Sequence, residues 1–210
     1  MFKIYRQPKR GEFFLLAGDT SQGGEDSNFG GALSYNHIDF PIIWDFPRTV
    51  AATVTPQLHE LLAWLYFATG VKPMIALERN NGGASEMERL RVLNSQGYYR
   101  LYQAKTFGKT AGEEETNKLG WDTNSITRPK MIGDWRDAVD ACVPIMYDQK
   151  QIAEHKVFIT NKRGRPEAAP RKHDDGVMFS AIAWQLYKTE RPLQNLDTYR
   201  PPPPQSNFML

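Results

Sequence analysis

Cysteine is almost absent from this 210-residue chain: Cys142 stands alone, so no internal disulfide can form and no thiolate cluster can hold zinc. That usage suits a reducing compartment. Apolar runs near the roughly 20 residues that span a bilayer are missing too, and the charged N-terminus lacks a following signal-peptide segment. The chain is therefore expected to be soluble and intracellular, with no membrane partner. Net charge is scarce: 26 Lys and Arg against 24 Asp and Glu leave only +2, so any contact with a polyanion must come from local clustering. A complete phosphate-binding loop is also lacking. Gly108-Lys109-Thr110 imitates the end of G-x-x-x-x-G-K-[ST], but Gln103 stands where the first glycine is required. What is plentiful is apolar surface: 40% hydrophobic residues suffice for a substantial core and exclude a disordered chain.

The apolar residues fall into short runs with clear punctuation. Phe13 to Ala17 reads as a buried strand leading into Gly18-Asp19-Thr20. Gly30 to Tyr35 and Ile38 to Phe46, separated by Asn36-His37, read as a hairpin, so the first three strands are antiparallel. A helix follows, with Thr55 as its cap, Pro56 in its first turn, a stripe of Leu58, Leu61, Leu62 and Leu65, and Gly70 at its end. Met74 to Leu77 is a further buried strand that delivers Glu78. Ser85 and Glu88 form a capping-box pair for a second helix closing near Gly97, and a strand over Tyr98 to Gln103 comes next. Residues 106–127 are polar, carry Glu113-Glu114-Glu115, and read as a long excursion or hairpin. Pro129 starts a helix that places Met131, Ile132, Trp135, Val139 and Cys142 on one face. Lys162 to Lys172 is a basic loop, and an apolar helix from about Gly176 to Tyr187 follows with Asp174 as a natural cap. The five tryptophans lie outside any basic-aromatic alternation and are expected to pack rather than stack on bases.

Asp19, Glu78 and the pair Asp174-Asp175 each sit where one core element ends or another begins. Three antiparallel strands, a helix, a fourth strand tipped with an acid and a late helix opening with acids match a ribonuclease H-like α/β fold. Its sheet is mixed, three antiparallel strands then parallel ones, flanked by helices, and its first and fourth strands are neighbours. Carboxylates brought together there would repel, and divalent cations remove that penalty; oxygen ligands suit Mg²⁺ or Mn²⁺. Two such ions about 3.5–4 Å apart can drive phosphodiester hydrolysis, with Asp19 the best candidate for the bridging ligand.

Four stretches carry a resemblance. Ala17-Gly18-Asp19-Thr20-Ser21-Gln22-Gly23-Gly24-Glu25-Asp26, Ala76-Leu77-Glu78-Arg79-Asn80-Asn81-Gly82-Gly83, Lys118-Leu119-Gly120-Trp121-Asp122-Thr123-Asn124 and His173-Asp174-Asp175-Gly176-Val177-Met178 resemble, in order and spacing, the nuclease domain of bacteriophage terminase large subunits. The resemblance implies a two-metal endonuclease that cuts concatemeric viral double-stranded DNA during packaging in the host cytoplasm. It implies Asp19, Glu78 and one or both of Asp174 and Asp175 as catalytic metal ligands, with Asp26 as a further acid. It also implies partnership with an ATPase motor domain, a small terminase subunit and a portal. The motor is not in this chain, which is expected to be either an excised domain or a separate protein, with a nuclease domain over 1–190 and a proline-rich, extended or disordered tail over 191–210.

The basic residues Lys162, Arg163, Arg165, Arg171 and Lys172, with His173, immediately precede the acidic pair and are candidate phosphate contacts. Two rivals share these observations: another ribonuclease H-like nuclease of the Holliday-junction resolvase type, and a non-catalytic DNA-binding or docking module of a packaging motor. Because the phosphate-binding loop is incomplete, the purified chain is expected not to hydrolyse ATP. A phosphate-release assay checks this, and turnover that disappears in Lys109→Ala would refute the reading of that loop.

Overall fold

The computed structural model describes residues 1–23, 27–106, 116–161 and 164–193. In chain order the elements are β1 (Phe2–Ile4), β2 (Phe14–Asp19), β3 (Ser27–Ser34), β4 (Asp39–Pro47), α1 (Ala51–Thr69), β5 (Met74–Leu77), a 3₁₀ turn (Asn80–Gly82) and α2 (Gly83–Leu93). Then come β6 (Arg100–Leu101), β7 (Gln103–Thr106), β8 (Thr116–Leu119), α3 (Thr127–Asp140), β9 (Ile145–Met146), α4 (Gln149–Lys156), β10 (Phe158–Thr160), β11 (Pro166–Ala168) and α5 (Asp175–Thr189).

The main sheet has the order β1-β4-β3-β2-β5-β6, with β9 pairing on the same edge of β4 as β1. β2, β3 and β4 are antiparallel, whereas β5 lies parallel to β2 and β6 parallel to β5. This is the ribonuclease H-like mixed sheet expected of the sequence. The parallel steps follow from the connections: α1 carries the chain from β4 to β5, and α2 carries it from β5 to β6.

Both sheet faces are covered, which is why β2 reads as a continuous apolar run. Phe13, Leu15 and Ala17 pack on one face with Phe179, Ile182 and Leu186 of α5 and Met131 and Trp135 of α3. Phe14 and Leu16 pack on the other with Leu58, Leu62 and Leu65 of α1 and Met87 and Leu90 of α2. Trp44 and Trp135 are buried in these two layers, and Trp64, Trp121 and Trp184 are partly buried against them, which agrees with packing roles.

Several local expectations need correction. α1 begins a turn before Thr55, at Ala51, whose N–H finds Ser21 O at 3.0 Å. Thr55 is thus inside the helix, and its hydroxyl donates to the Glu86 carboxylate at 2.6 Å, tying α1 to α2. Ser85 and Glu88 form no capping box, because α2 starts at Gly83 after Gly82 in the left-handed region (φ 93°). Cys142 lies beyond α3 and is exposed. The basic loop is partly a hairpin, with β10 and β11 antiparallel and the tip at residues 162–163 outside the described set. β1, β9 and α4 lacked a legible signal. In the excursion after β6, β7 pairs antiparallel with β8; Lys109 and the acidic triplet lie outside the described residues, as do Asp26 and residues 194–210.

One packing detail fixes how closely β2, β3 and β4 align. Gly18 pairs with Gly30, and Gly30 with Trp44, so the indole lies flat over two glycines. A methyl at Gly30 would stand 2.1 Å from Trp44 Cζ2 and 2.5 Å from the Ala17 carbonyl oxygen. Gly30→Ala is therefore expected to cost about 1–3 kcal/mol through overpacking. A urea-unfolding midpoint equal to that of the wild type would show that the slot yields.

Candidate metal centre

The main sheet presents Asp19 and Glu78 side by side. Asp19 ends β2 opposite Phe29, and residues directly paired across strands share a face, so its carboxylate leaves the sheet on the α5 side. Phe29 packs edge-on against Phe179 of α5 at 5.3 Å. Gly18 pairs with Leu77 in the parallel register, which sets Glu78 next to Asp19, and the Glu78 N–H donates to Gly18 O at 2.9 Å.

Glu78 is held from its other side as well. The Trp121 N–H donates to Leu77 O and the Arg79 N–H to Trp121 O, each at 2.9 Å, so the segment leaving β8 extends the parallel pairing past the strand end. Gly120 makes this possible: its φ is 89°, and a side chain there would stand 2.7 Å from Leu77 O. Gly83 allows α2 to start against the same turn, since a Cβ would fall 1.7 Å from Glu78 O. The third contribution comes from the start of α5, with Asp174 in the flanking position and Asp175 as first helical residue.

These acids lie close enough to act on one another's charge. Burial pushes the Asp19 carboxyl up to about 8, and the charges of Glu78, Asp175 and Asp174 add to the effect. Asp19 Oδ1 is buried and has no hydrogen-bond partner among the described residues. Burial also raises Glu78, with Asp174 adding to it, against the opposing pull of the Thr123 side chain, an Asn80 amide donor at 3.1 Å and the charge of Arg128. The opposite end of the sheet behaves differently. There the burial of Glu12 is outweighed by Arg6, by the Ser34 hydroxyl and by the Lys9 N–H, which together hold its carboxyl below the usual range. Asp39 shares the same guanidinium at 2.8 Å. Acids at one end are paired for structure; those at the other are left in excess.

Two neighbours of the cluster were not legible in the sequence. Arg128, on the first turn of α3, donates to Asp174 Oδ2 at 3.0 Å and to Pro166 O at 2.8 Å, joining the acids to the β10–β11 hairpin. Asp174 therefore stands at the helix start but makes no side-chain cap bond. The cap of α5 is Glu154 of α4, whose Oε2 accepts from the Gly176 N–H at 2.5 Å. Burial raises the Glu154 carboxyl, Asp175 adds to the shift, and the Gly176 N–H opposes it. No periodicity or motif marks either residue; only the packing of α3 and α4 on α5 reveals them.

Of the basic candidates, Arg165, Arg171, Lys172 and His173 are exposed on the hairpin and on the segment leading to α5, whereas Lys162 and Arg163 lie outside the described residues. Among the described residues, no three Asp, Glu, His or Cys side chains close into a finished cation cage. The donor set nevertheless fits a hard divalent ion. It is all oxygen, and among the described residues it contains a buried carboxylate oxygen without a partner and one ion pair, that of Arg128 with Asp174. No helix among the described residues is long and apolar enough to cross a membrane.

No protein-family profile and no curated protein sequence matches the chain. Solved structures do. The large terminase nuclease domain of Thermus phage P74-26 superposes with a TM-score of 0.63 at 13% identity, covering 90% of this chain and 87% of that one. A large terminase nuclease from a thermophilic phage, solved with bound magnesium, gives 0.62 at 14% identity over 88% and 86%. The human cytomegalovirus terminase nuclease domain, soaked with manganese and bound to an inhibitor, gives 0.58 at 11% identity over 83% and 84%. The likeness is one of fold, and it spans most of the chain.

The electrostatics predict how stability depends on pH without metal. The folded chain holds a proton on Asp19 up to about pH 8, whereas the unfolded chain releases it near 3.8, so stability falls as pH rises through that window. In chelator, Asp19→Asn should melt at a higher temperature than the wild type at pH 8, and the gain should shrink toward pH 4. Equal melting temperatures across the range would show that Asp19 ionises freely in the fold.

Proposed function

We propose that this chain is a metal-dependent endonuclease of double-stranded DNA, acting as a large-terminase nuclease that cuts concatemeric viral DNA during genome packaging. The observation that carries the reading is the row of mutually repelling acids at one end of the central strands, with Asp19 Oδ1 buried and without a partner among the described residues. The fold likeness to phage and cytomegalovirus terminase nucleases supports it, and the magnesium and manganese in two of those structures support divalent ions here.

Asp19, Glu78 and one or both of Asp174 and Asp175 would hold two Mg²⁺ or Mn²⁺ ions. Asp26, outside the described residues, is a further candidate. When bound, such ions lower the pKa of water toward neutrality and offset charge on the attacking and leaving oxygens of a phosphodiester. The chain's own residues supply placement. Backbone hydrogen bonds on both sides fix Glu78, the sheet fixes Asp19, and Asn80 orients Glu78 Oε1. Arg128 uses two of its N–H groups on Asp174 and Pro166 O, and its remaining donors could serve a phosphate oxygen. Lys162, Arg163, Arg165, Arg171, Lys172 and His173 would grip the backbone of DNA without reading bases. In this role the chain works in the host cytoplasm with an ATPase motor, a small terminase subunit and a portal.

Asp19→Asn, Glu78→Gln and Asp175→Asn should each lower plasmid cleavage by at least about a hundredfold while DNA binding and folding persist, since each removes a ligand charge at nearly constant volume. EDTA should silence the wild type. A nicking assay on supercoiled plasmid checks both, and undiminished cutting in chelator or in Asp19→Asn would overturn the assignment. Preference for a four-way junction over linear duplex would instead favour a resolvase.

A further inference from the structure

The acids at the start of α5 differ from Asp19 and Glu78 in how they are held. No strand fixes them; they belong to the first turn of a helix, where N–H groups lack intrahelical partners and the chain frays unless something accepts from them. Asp174, the residue positioned to do so, is engaged with Arg128. The acceptor is Glu154, whose side chain comes from another helix and is 7% exposed.

The contact is close and specific. At Gly176 a Cβ would stand 2.9 Å from Glu154 Oε2, 3.1 Å from Phe29 Cε1 and 3.3 Å from Gln151 Cα, so α4 lies directly on the first turn of α5. One turn back on α4, Gln151 Nε2 donates to Ser180 Oγ at 2.9 Å, and the Ser180 hydroxyl donates to Gly176 O at 2.6 Å. The helix α4 is itself pinned: Asp148 accepts from the Gln151 N–H, from Lys3 Nζ and from the Tyr5 hydroxyl, at 2.9, 2.7 and 2.7 Å. A chain of bonds thus runs from the N-terminal strand through α4 to the peptide following Asp174 and Asp175.

We infer that Glu154 is a positioning residue: by accepting from the Gly176 N–H it sets where Asp174 and Asp175 stand relative to Asp19, and so sets the affinity of the site for divalent cations. This rests on the metal reading above. Residues that orient ligands without touching the ion commonly govern affinity by about 10- to 100-fold.

The test measures Mn²⁺ binding to the full chain by the electron paramagnetic resonance signal of free Mn²⁺, with melting temperatures recorded alongside. Glu154→Ala should weaken binding about tenfold or more. Glu154→Gln should bind nearly as the wild type does, because an amide oxygen still accepts from Gly176 although the charge is gone. Gly176→Ala, whose methyl displaces the carboxylate, should lose affinity as Glu154→Ala does, and it carries the test if that variant does not fold. Wild-type affinity in both alanine variants would overturn the inference and leave the metal reading intact. Glutamine as damaging as alanine would mark the charge itself as the contribution and likewise overturn it. Failure of the wild-type chain to bind Mn²⁺ would overturn the metal reading and the inference together.

Discussion

Carboxylates crowded into a poorly hydrated corner repel one another, and a fold keeps them there only if stronger interactions elsewhere hold the elements that carry them. In this protein the constraint acts on Asp19, Glu78, Asp174 and Asp175. Each is attached to backbone that could not move without breaking something else. Asp19 ends a strand paired on both sides, Glu78 follows a strand extended by the 120–121 segment, and the aspartate pair opens a helix buried along most of its length. Val177, Phe179, Ile182 and Leu186 of α5 are all buried. Fully burying each such side chain contributes about 1.5–3 kcal/mol, so the helix has stability in reserve against the repulsion at its first turn.

The two ends of the sheet make the functional argument by contrast. Glu12 and Asp39 are as buried as Glu78, yet they converge on Arg6, and Glu12 also gains a hydroxyl and a backbone donor that hold its carboxyl below the usual range. At the other end Arg128 is bonded to Asp174, while Asp19 Oδ1 has no partner among the described residues. A structural network satisfies its own charges. A site for cations must not, because the missing positive charge is what the ligand brings.

The helical layers divide the labour. α1 and α2 back the sheet on the face away from the acids, and Thr55 bonded to Glu86 locks them together. α3, α4 and α5 cover the acidic face, and each contributes a polar residue at its near end: Arg128, Glu154 and the aspartate pair. The β10–β11 hairpin is linked to this layer through Pro166 O, which brings exposed Arg165 and Lys172 into the same region of the molecule. The acidic cluster and the basic hairpin are therefore joined through Arg128.

The sequence by itself determined the strands that carry Asp19 and Glu78, the fold class, and the helix behind Asp174 and Asp175. Those features rest on short-range regularities: an apolar run, a turn, an acid where the run stops. It misplaced the start of α1 and of α2, because their first N–H groups are met by distant backbone or by a glycine turn rather than by the nearby Thr55 or Ser85. It marked Asp174 as a cap from its position alone, whereas the bond depends on which side chain reaches Gly176 first, and Glu154 arrives from 22 residues upstream in sequence. Arg128 and Glu154 were illegible for the same reason. A charged residue on a short helix carries no local sign of what it will face, and only the packing of α3 and α4 across α5 decided that one would hold an acid and the other a helix end.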